Sequence, residues 1–358
     1  MRIAILGADG YLGFALSHHL LREGHSVLGV DNLKREALVE ATSSYSIIRH
    51  SFESLKDLQT AELDVTNSVA LRDRLEKFEP DLIVDLSRLY SPALFQQRDQ
   101  LLCITNLYNT VSIVNMLASS SLRSVPLFVV TDLNSYYPSQ LPVPEGPLLV
   151  HHNELEDFLP FPLKGDSLNQ CTEAFVQIFL TYARNHLKLK LVDLRVGSVY
   201  GVYPSEEPLH RLHVDRFHST VINYYCARGV RQGIVNVPQE GYYAIISLNQ
   251  FVESFTYLLT KKVNKPVVHL FDRLVSFQDL IYKIKHIFAE DFGYRLRIGF
   301  FRVKTFEFTW PQFVHIEREL LSDCFLSDTI ELEDDLRTLI DVCFRNRKKI
   351  TSLPRSLW

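Results

Sequence analysis

Three glycines near the start of the chain have the spacing that cradles a phosphate. They are Gly7, Gly10 and Gly13, in the run Gly7-Ala8-Asp9-Gly10-Tyr11-Leu12-Gly13. Gly7 suits a tight turn, Gly10 lets the backbone approach a pyrophosphate, and Gly13 lets a helix lie close to a strand. Asp9, Tyr11 and Leu12 share that loop, and the free N–H groups of a helix starting there would face the phosphates. A carboxylate, Asp31, ends the next apolar run, Ser26–Val30, placed to accept from both hydroxyls of an adenosine ribose. It would repel a 2′-phosphate, which favours NAD over NADP. Asn32, Lys34 and Arg35 follow it, with Asn32 and Arg35 as further contacts. In Leu63-Asp64-Val65, Asp64 is placed to meet the adenine amino group, with Val65 beside it.

These residues need a strand–turn–helix–strand frame, and the chain has one. Arg2–Leu6 is an apolar run suited to a strand buried on both faces, and Gly24 stops the helix that follows the glycines. Further on, Leu71–Phe78 reads as helix, Asp81–Leu86 as strand, Leu101–Ser119 as helix, Leu127–Thr131 as strand, Leu168–Leu187 as helix and Leu191–Arg195 as strand. Strands alternating with helices predict an α/β fold: a Rossmann-type doubly wound parallel sheet. From Gly201 the pattern turns irregular, with Pro204–Pro208 as loop. Helices are expected at Ser219–Arg228, Phe251–Thr260, Phe277–Phe288 and Asp335–Phe344, and short strands at Val235–Val237 and Ala244–Ile246. The expected domains are a NAD-binding Rossmann domain (1–200 and 235–270) and a smaller C-terminal substrate lobe (201–234 and 271–358) over the strand ends.

The bulk properties exclude several classes. The 358 residues are 46% hydrophobic and 22% charged, with a formal net charge of −4. That charge argues against nucleic acid or an anionic membrane as partner. No apolar run reaches the length of a membrane span, and no charged-then-apolar leader opens the chain, so a cytoplasmic protein is expected. The five cysteines (Cys103, Cys171, Cys226, Cys324, Cys343) are scattered, as free thiols in a reducing compartment would be. His210, His213, His218 and Asp215 match no standard ligand spacing, so no metal is expected.

The whole length resembles one family. The spacing GxxGxxG is that of the short-chain dehydrogenase/reductases. The chain is similar to their extended branch, which modifies nucleotide sugars (the NAD-dependent epimerase/dehydratases), and within it to the UDP-sulfoquinovose synthases. The resemblance lies in Gly7–Gly13 with Asp31-Asn32-Leu33-Lys34-Arg35, and in His152-Asn153 through Asp157 to Leu159-Pro160-Phe161-Pro162. It extends to Ser198-Val199-Tyr200-Gly201, Leu326-Ser327-Asp328 and the ending Pro354-Arg355-Ser356-Leu357-Trp358. It implies NAD as cofactor and a polar, sugar-nucleotide-like small molecule as substrate or effector. It also implies a homodimer through helices 101–119 and 168–187, with Ala174, Phe175, Ile178 and Phe179 as apolar outer positions.

The family's proton-handling residues are a Tyr-x-x-x-Lys pair on one helix and a Ser/Thr at a strand end. Here the tyrosine position is Asn169, the lysine position Glu173, and the residue between them that is His in the synthases is Gln170. The Ser/Thr position is Asp132, or Thr131 with a shift of one. The histidine after the fourth strand is Asp85, and the arginine near the substrate phosphates is Tyr242 or Glu240. Glu173 is then either a solvated or capping residue, or one half of a paired-carboxylate site with Asp132. Candidate ligand contacts are Tyr90, Tyr136 (with Tyr137), His152, Arg216 and Tyr242. Arg211, Arg228 and Arg231 are further anion-binding candidates. Three functions stay open: an enzyme working without the usual tyrosine, a pseudoenzyme that senses NAD(H) or binds a protein partner, and an ordinary sugar-nucleotide enzyme with a relocated base.

Overall fold

The computed structural model describes residues 1–33, 55–88, 99–133, 148–152, 155–159, 168–203, 212–214, 219–239, 242–261, 265–301 and 332–352. Largely apolar, mostly buried runs form the strands β1 (Arg2–Leu6), β2 (Ser26–Asp31), β4 (Leu82–Asp85), β5 (Leu127–Asp132), β8 (Leu191–Val196) and β12 (Val267–Leu270), while the edge strand β3 (Gln59–Glu62) is polar and partly exposed. β6 and β7 belong to a separate hairpin described below. The seven strands make one parallel sheet in the order β12-β8-β5-β4-β1-β2-β3, so the order reverses between β1 and β4. That reversal opens the crevice in which doubly wound sheets bind ligands.

Helices cover both faces. On one side α1 (Tyr11–Arg22) and α6 (Leu248–Lys261) join a core containing Ile3, Ile5, Val84, Phe128 and Leu194. On the other, α2 (Ser68–Phe78), α3 (Asp99–Ala118) and α4 (Leu168–Asn185) pack Leu71, Leu75, Val114, Leu117, Val176 and Leu180 on Ala4, Leu6, Ile83 and Val129. Local chemistry sets the ends. Asn67 caps α2 by accepting from the Ala70 N–H at 3.3 Å. α5 (Val221–Gln232) stops at Gly233, whose φ of +65° is left-handed.

The rest of the chain forms smaller sheets. β9 (Ser198–Tyr200) pairs parallel with β11 (Tyr242–Ser247), which pairs antiparallel with β13 (Arg273–Ser276). β10 (Ile234–Pro238) pairs with β14 (Arg297–Phe301). The helices α5, α7 (Phe277–Glu290) and α8 (Leu332–Arg345) share a core with α6 that includes Cys226, Ile284, Leu336, Ile340 and Phe251.

Three expectations change. β3 ends at Glu62, so Asp64 lies just past the strand. No strand was expected around His152 and Leu159, yet β6 (Leu148–His152) and β7 (Leu155–Leu159) pair antiparallel. β12, β13 and β14 had no clear sequence signal, because each is short and mixes charged or polar residues with its apolar ones.

Candidate functional site

The glycine loop is built as its spacing requires. Gly7 has φ +84°, and a Cβ there would stand 2.6 Å from the Leu86 carbonyl oxygen at the end of β4. A Cβ on Gly13 would stand 2.1 Å from the Gly7 carbonyl oxygen. Both positions therefore exclude a side chain, and α1 lies tight against the β1 turn. Gly10 occupies the position before α1, and no side chain caps the helix, leaving its first-turn N–H groups to a ligand's oxygens. The Tyr11 hydroxyl donates to the Gly201 carbonyl at 2.5 Å, and the Gly201 N–H donates to Asn223 Oδ1 at 2.9 Å. The loop is thus tied to the turn after β9 and to α5.

Asp31 closes β2 beside this loop. One carboxylate oxygen accepts from the Asp9 N–H and the other from the Leu33 N–H, each at 2.9 Å. Each oxygen keeps a lone pair, so a pair of ribose hydroxyls can still donate to it. The Asn32 amide donates to Asp64 Oδ2 at 3.3 Å, and Asp64 Oδ1 accepts from the Thr66 N–H and hydroxyl at 2.9 and 2.7 Å. Val65 is buried next to it. These residues fit a dinucleotide: a side-chain-free cradle, an uncapped helix start and an ordered carboxylate one strand away.

The other half of the crevice, at the ends of β4 and β5, is where the structure departs most from expectation. Glu173 is not a solvated residue: its side chain is 0% exposed. Its two oxygens accept from the same nitrogen of Arg88, at 2.6 and 2.8 Å. Arg88 follows β4, is also 0% exposed, and donates to Thr110 Oγ1 of α3 at 3.2 Å. Asp132 meets Glu173 through its backbone N–H, which donates at 3.4 Å, while its side chain is half-buried. Burial pushes the Glu173 carboxyl up to about 7, Arg88 pulls it down, and Asp132 adds a smaller upward push.

Thr131 cannot stand in for the strand-end Ser/Thr. Its hydroxyl is buried and donates to Asp193 Oδ1 at 2.6 Å, and Arg195 donates to Asp193 Oδ2 at 2.9 Å. One strand on, burial holds the His269 imidazole down at about 3. Asp85 is fully buried at the end of β4, where Oδ1 accepts from the Ser87 N–H at 3.0 Å and the Ser87 hydroxyl at 2.6 Å.

Sequence reasoning missed Arg88. The signal was available: Glu173 shares a helix face with Val176 and Leu180, and a carboxylate in that company needs a buried cation. Asn169 and Gln170 fall in the first turn of α4 and Tyr242 opens β11, with His152 at the end of β6. Arg35, Tyr90, Tyr136, Tyr137, Asn153, His210, Arg211, Asp215, Arg216, His218 and Glu240 lie outside the described residues, as does the Pro354–Trp358 ending. Arg228 donates to the Tyr224 hydroxyl at 3.0 Å and to Gln232 at 3.1 Å, so its contacts are within α5. Among the described residues no group of His, Cys, Asp or Glu could hold a metal ion, and no helix is long and apolar enough to cross a membrane.

Comparison with known proteins agrees with this architecture. The family described as "NAD dependent epimerase/dehydratase family" matches residues 3–228. A UDP-sulfoquinovose synthase of Sulfolobus acidocaldarius is 25% identical, covering 100% of this chain and 98% of that protein. Among solved structures, the UDP-glucose 4-epimerase of Thermotoga maritima with UDP-glucose superposes with a TM-score of 0.68 at 16% identity, covering 98% of this chain and 100% of that one. The UDP-glucose 4-epimerase of Brucella ovis in complex with NAD superposes with a TM-score of 0.70 at 14% identity, covering 96% and 98%.

Proposed function

The chain belongs to the NAD-dependent epimerase/dehydratase family, with NAD as its cofactor, and from that premise we propose that it acts on a polar, sugar-nucleotide-like metabolite without the family's tyrosine–lysine pair. The observation that carries this is the sealed Arg88–Glu173 pair. A carboxylate with both oxygens on a buried guanidinium has no path to a ligand's proton. Asn169, at the tyrosine position, has an amide that only donates and accepts hydrogen bonds. Among the described residues, Asp132 offers an ionisable side chain with partial exposure at the strand end. Bound NAD supplies a hydride acceptor. Asp132 then takes the proton from the ligand hydroxyl whose carbon is oxidised. The substrate class rests on the Sulfolobus relative, a UDP-sulfoquinovose synthase, and on the Thermotoga structure solved with UDP-glucose.

The test is absorbance at 340 nm with NAD and UDP-glucose or related sugar nucleotides. The proposal expects a change with the wild type that Asp132→Asn abolishes while cofactor binding persists. The sealed pair also favours a second reading, a catalytically silent protein that binds NAD(H) for sensing or assembly. That reading expects a flat trace for both proteins while mass spectrometry finds the dinucleotide bound.

A second copy of the chain completes this picture. Phe175, Ile178 and Tyr182 of α4 and Tyr108 of α3 are exposed, and Phe175, Phe179, Tyr182 and His186 stack along α4. We assign this face to a homodimer. Ala174, expected on it, is instead buried, and Phe179 is half-buried against the core. The free thiols Cys171, Cys226 and Cys343 suit the reducing cytoplasm.

A further inference from the structure

We propose that the β4–β5 half of the crevice selects the oxidised form of the dinucleotide, binding NAD⁺ in preference to NADH. This rests on the reading of the glycine loop and Asp31 as the adenosine side of a NAD site. Asp31 ends β2, on one side of the strand-order reversal between β1 and β4. The nicotinamide half then falls across the reversal, at the ends of β4 and β5.

The two redox forms differ by one positive charge, carried by the oxidised nicotinamide ring. The charges that meet it therefore decide between them. At the lysine position of the helix pair, a cation would oppose the oxidised ring. Here that position holds Glu173, and the buried cation Arg88 is bound to it. Two further carboxylates end the strands: Asp132 closes β5, and Asp85 closes β4 beside Leu6 of β1, at the reversal itself. At these strand ends three carboxylates (Asp85, Asp132, Glu173) stand with the guanidinium of Arg88, while on β8 Asp193 and Arg195 pair with each other and add no net charge. Protonating Glu173 still leaves two carboxylates against one guanidinium.

Asp85 adds an independent observation. Its side chain is fully buried, Oδ1 is satisfied by Ser87, and Oδ2 has no hydrogen-bond partner among the described residues. A buried carboxylate oxygen without a donor is costly and strongly favours a nearby positive charge. Within the protein such a charge acts without direct contact. At an effective dielectric of about 20, one unit charge roughly 10 Å away changes affinity about ten-fold or more.

The test is the ratio of dissociation constants for NAD⁺ and NADH, by calorimetry for both and by nicotinamide fluorescence for NADH. ADP-ribose, which lacks the ring, serves as the probe of the adenosine side. The proposal expects NAD⁺ to bind about ten-fold or more tighter than NADH. It expects that ratio to fall toward one in Asp85→Asn and in Asp132→Asn, with ADP-ribose affinity unchanged in any variant that folds. Asp132→Asn keeps the test decisive if Asp85→Asn does not fold. Equal affinities in the wild type, or a ratio unmoved by Asp132→Asn, overturn the proposal while ADP-ribose binding leaves the NAD site standing. Failure of all three ligands to bind overturns both.

Discussion

Arg88 governs what Glu173 can be. Replacing it with Met removes the cation and leaves a fully buried carboxyl with nothing to balance its charge. Breaking a buried pair in this way costs roughly 3–5 kcal/mol. The cost depends on pH in a defined direction. Burial already raises the Glu173 carboxyl from 4.5 to about 7, so the folded chain holds this proton more tightly than the unfolded chain between those values. That contribution is complete below 4.5 and is lost as pH rises through about 7. Loss of Arg88 raises the carboxyl further. Urea unfolding of Arg88→Met should therefore show the large deficit at pH 8 and a much smaller one at pH 5. An equal deficit at both would mean that Glu173 is not ionised beside Arg88 in the wild type.

At the scale of elements, the join between β1 and α1 is where we place the cofactor site. The Gly13 position admits no Cβ, since one would stand 2.1 Å from a backbone oxygen. Gly13→Ala must push α1 off the turn, at roughly 1–3 kcal/mol for the overpacking. The same shift moves the first-turn N–H groups, so NADH binding followed by fluorescence should weaken by more than the loss of stability explains. A variant that binds NADH as well as the wild type would remove the glycine loop from the site. Much of this element was legible beforehand, because Gly7, Gly10 and Gly13 need specific backbone geometry and Asp31 has no packing reason to end a strand. That Glu173 needed a buried cation could be read from its helix face, but that Arg88 supplies it could not, because the partners are 85 residues apart and only folding brings them together.

The whole molecule is expected to be a dimer. α3 and α4 bury one face on the sheet and leave Phe175, Ile178, Tyr182 and Tyr108 outside. Exposed aromatic and aliphatic side chains this close together mark an interaction surface. Sedimentation should show a wild-type dimer and a monomer for Phe175→Glu with Ile178→Lys. A monomeric wild type would leave this face to another partner. Because α4 also carries Glu173, loss of the dimer should lower the unfolding midpoint more than surface substitutions on α2 do.

Some properties of this protein follow from local rules that the chain carries by itself. Glycine spacing, apolar strand runs and a strand-end carboxylate each act over a few residues, so the Rossmann-type sheet and the dinucleotide loop could be read before any coordinates. The same reading, through the family resemblance, put Asn169 and Glu173 where a tyrosine and a lysine are expected. What surrounds Glu173 was decided only by tertiary structure. Folding takes Glu173 out of water, supplies Arg88 from the segment after β4, turns Thr131 toward Asp193 and leaves an Asp85 oxygen buried without a donor among the described residues. Charge and burial of this kind depend on what surrounds a group in space, and sequence distance carries no information about that.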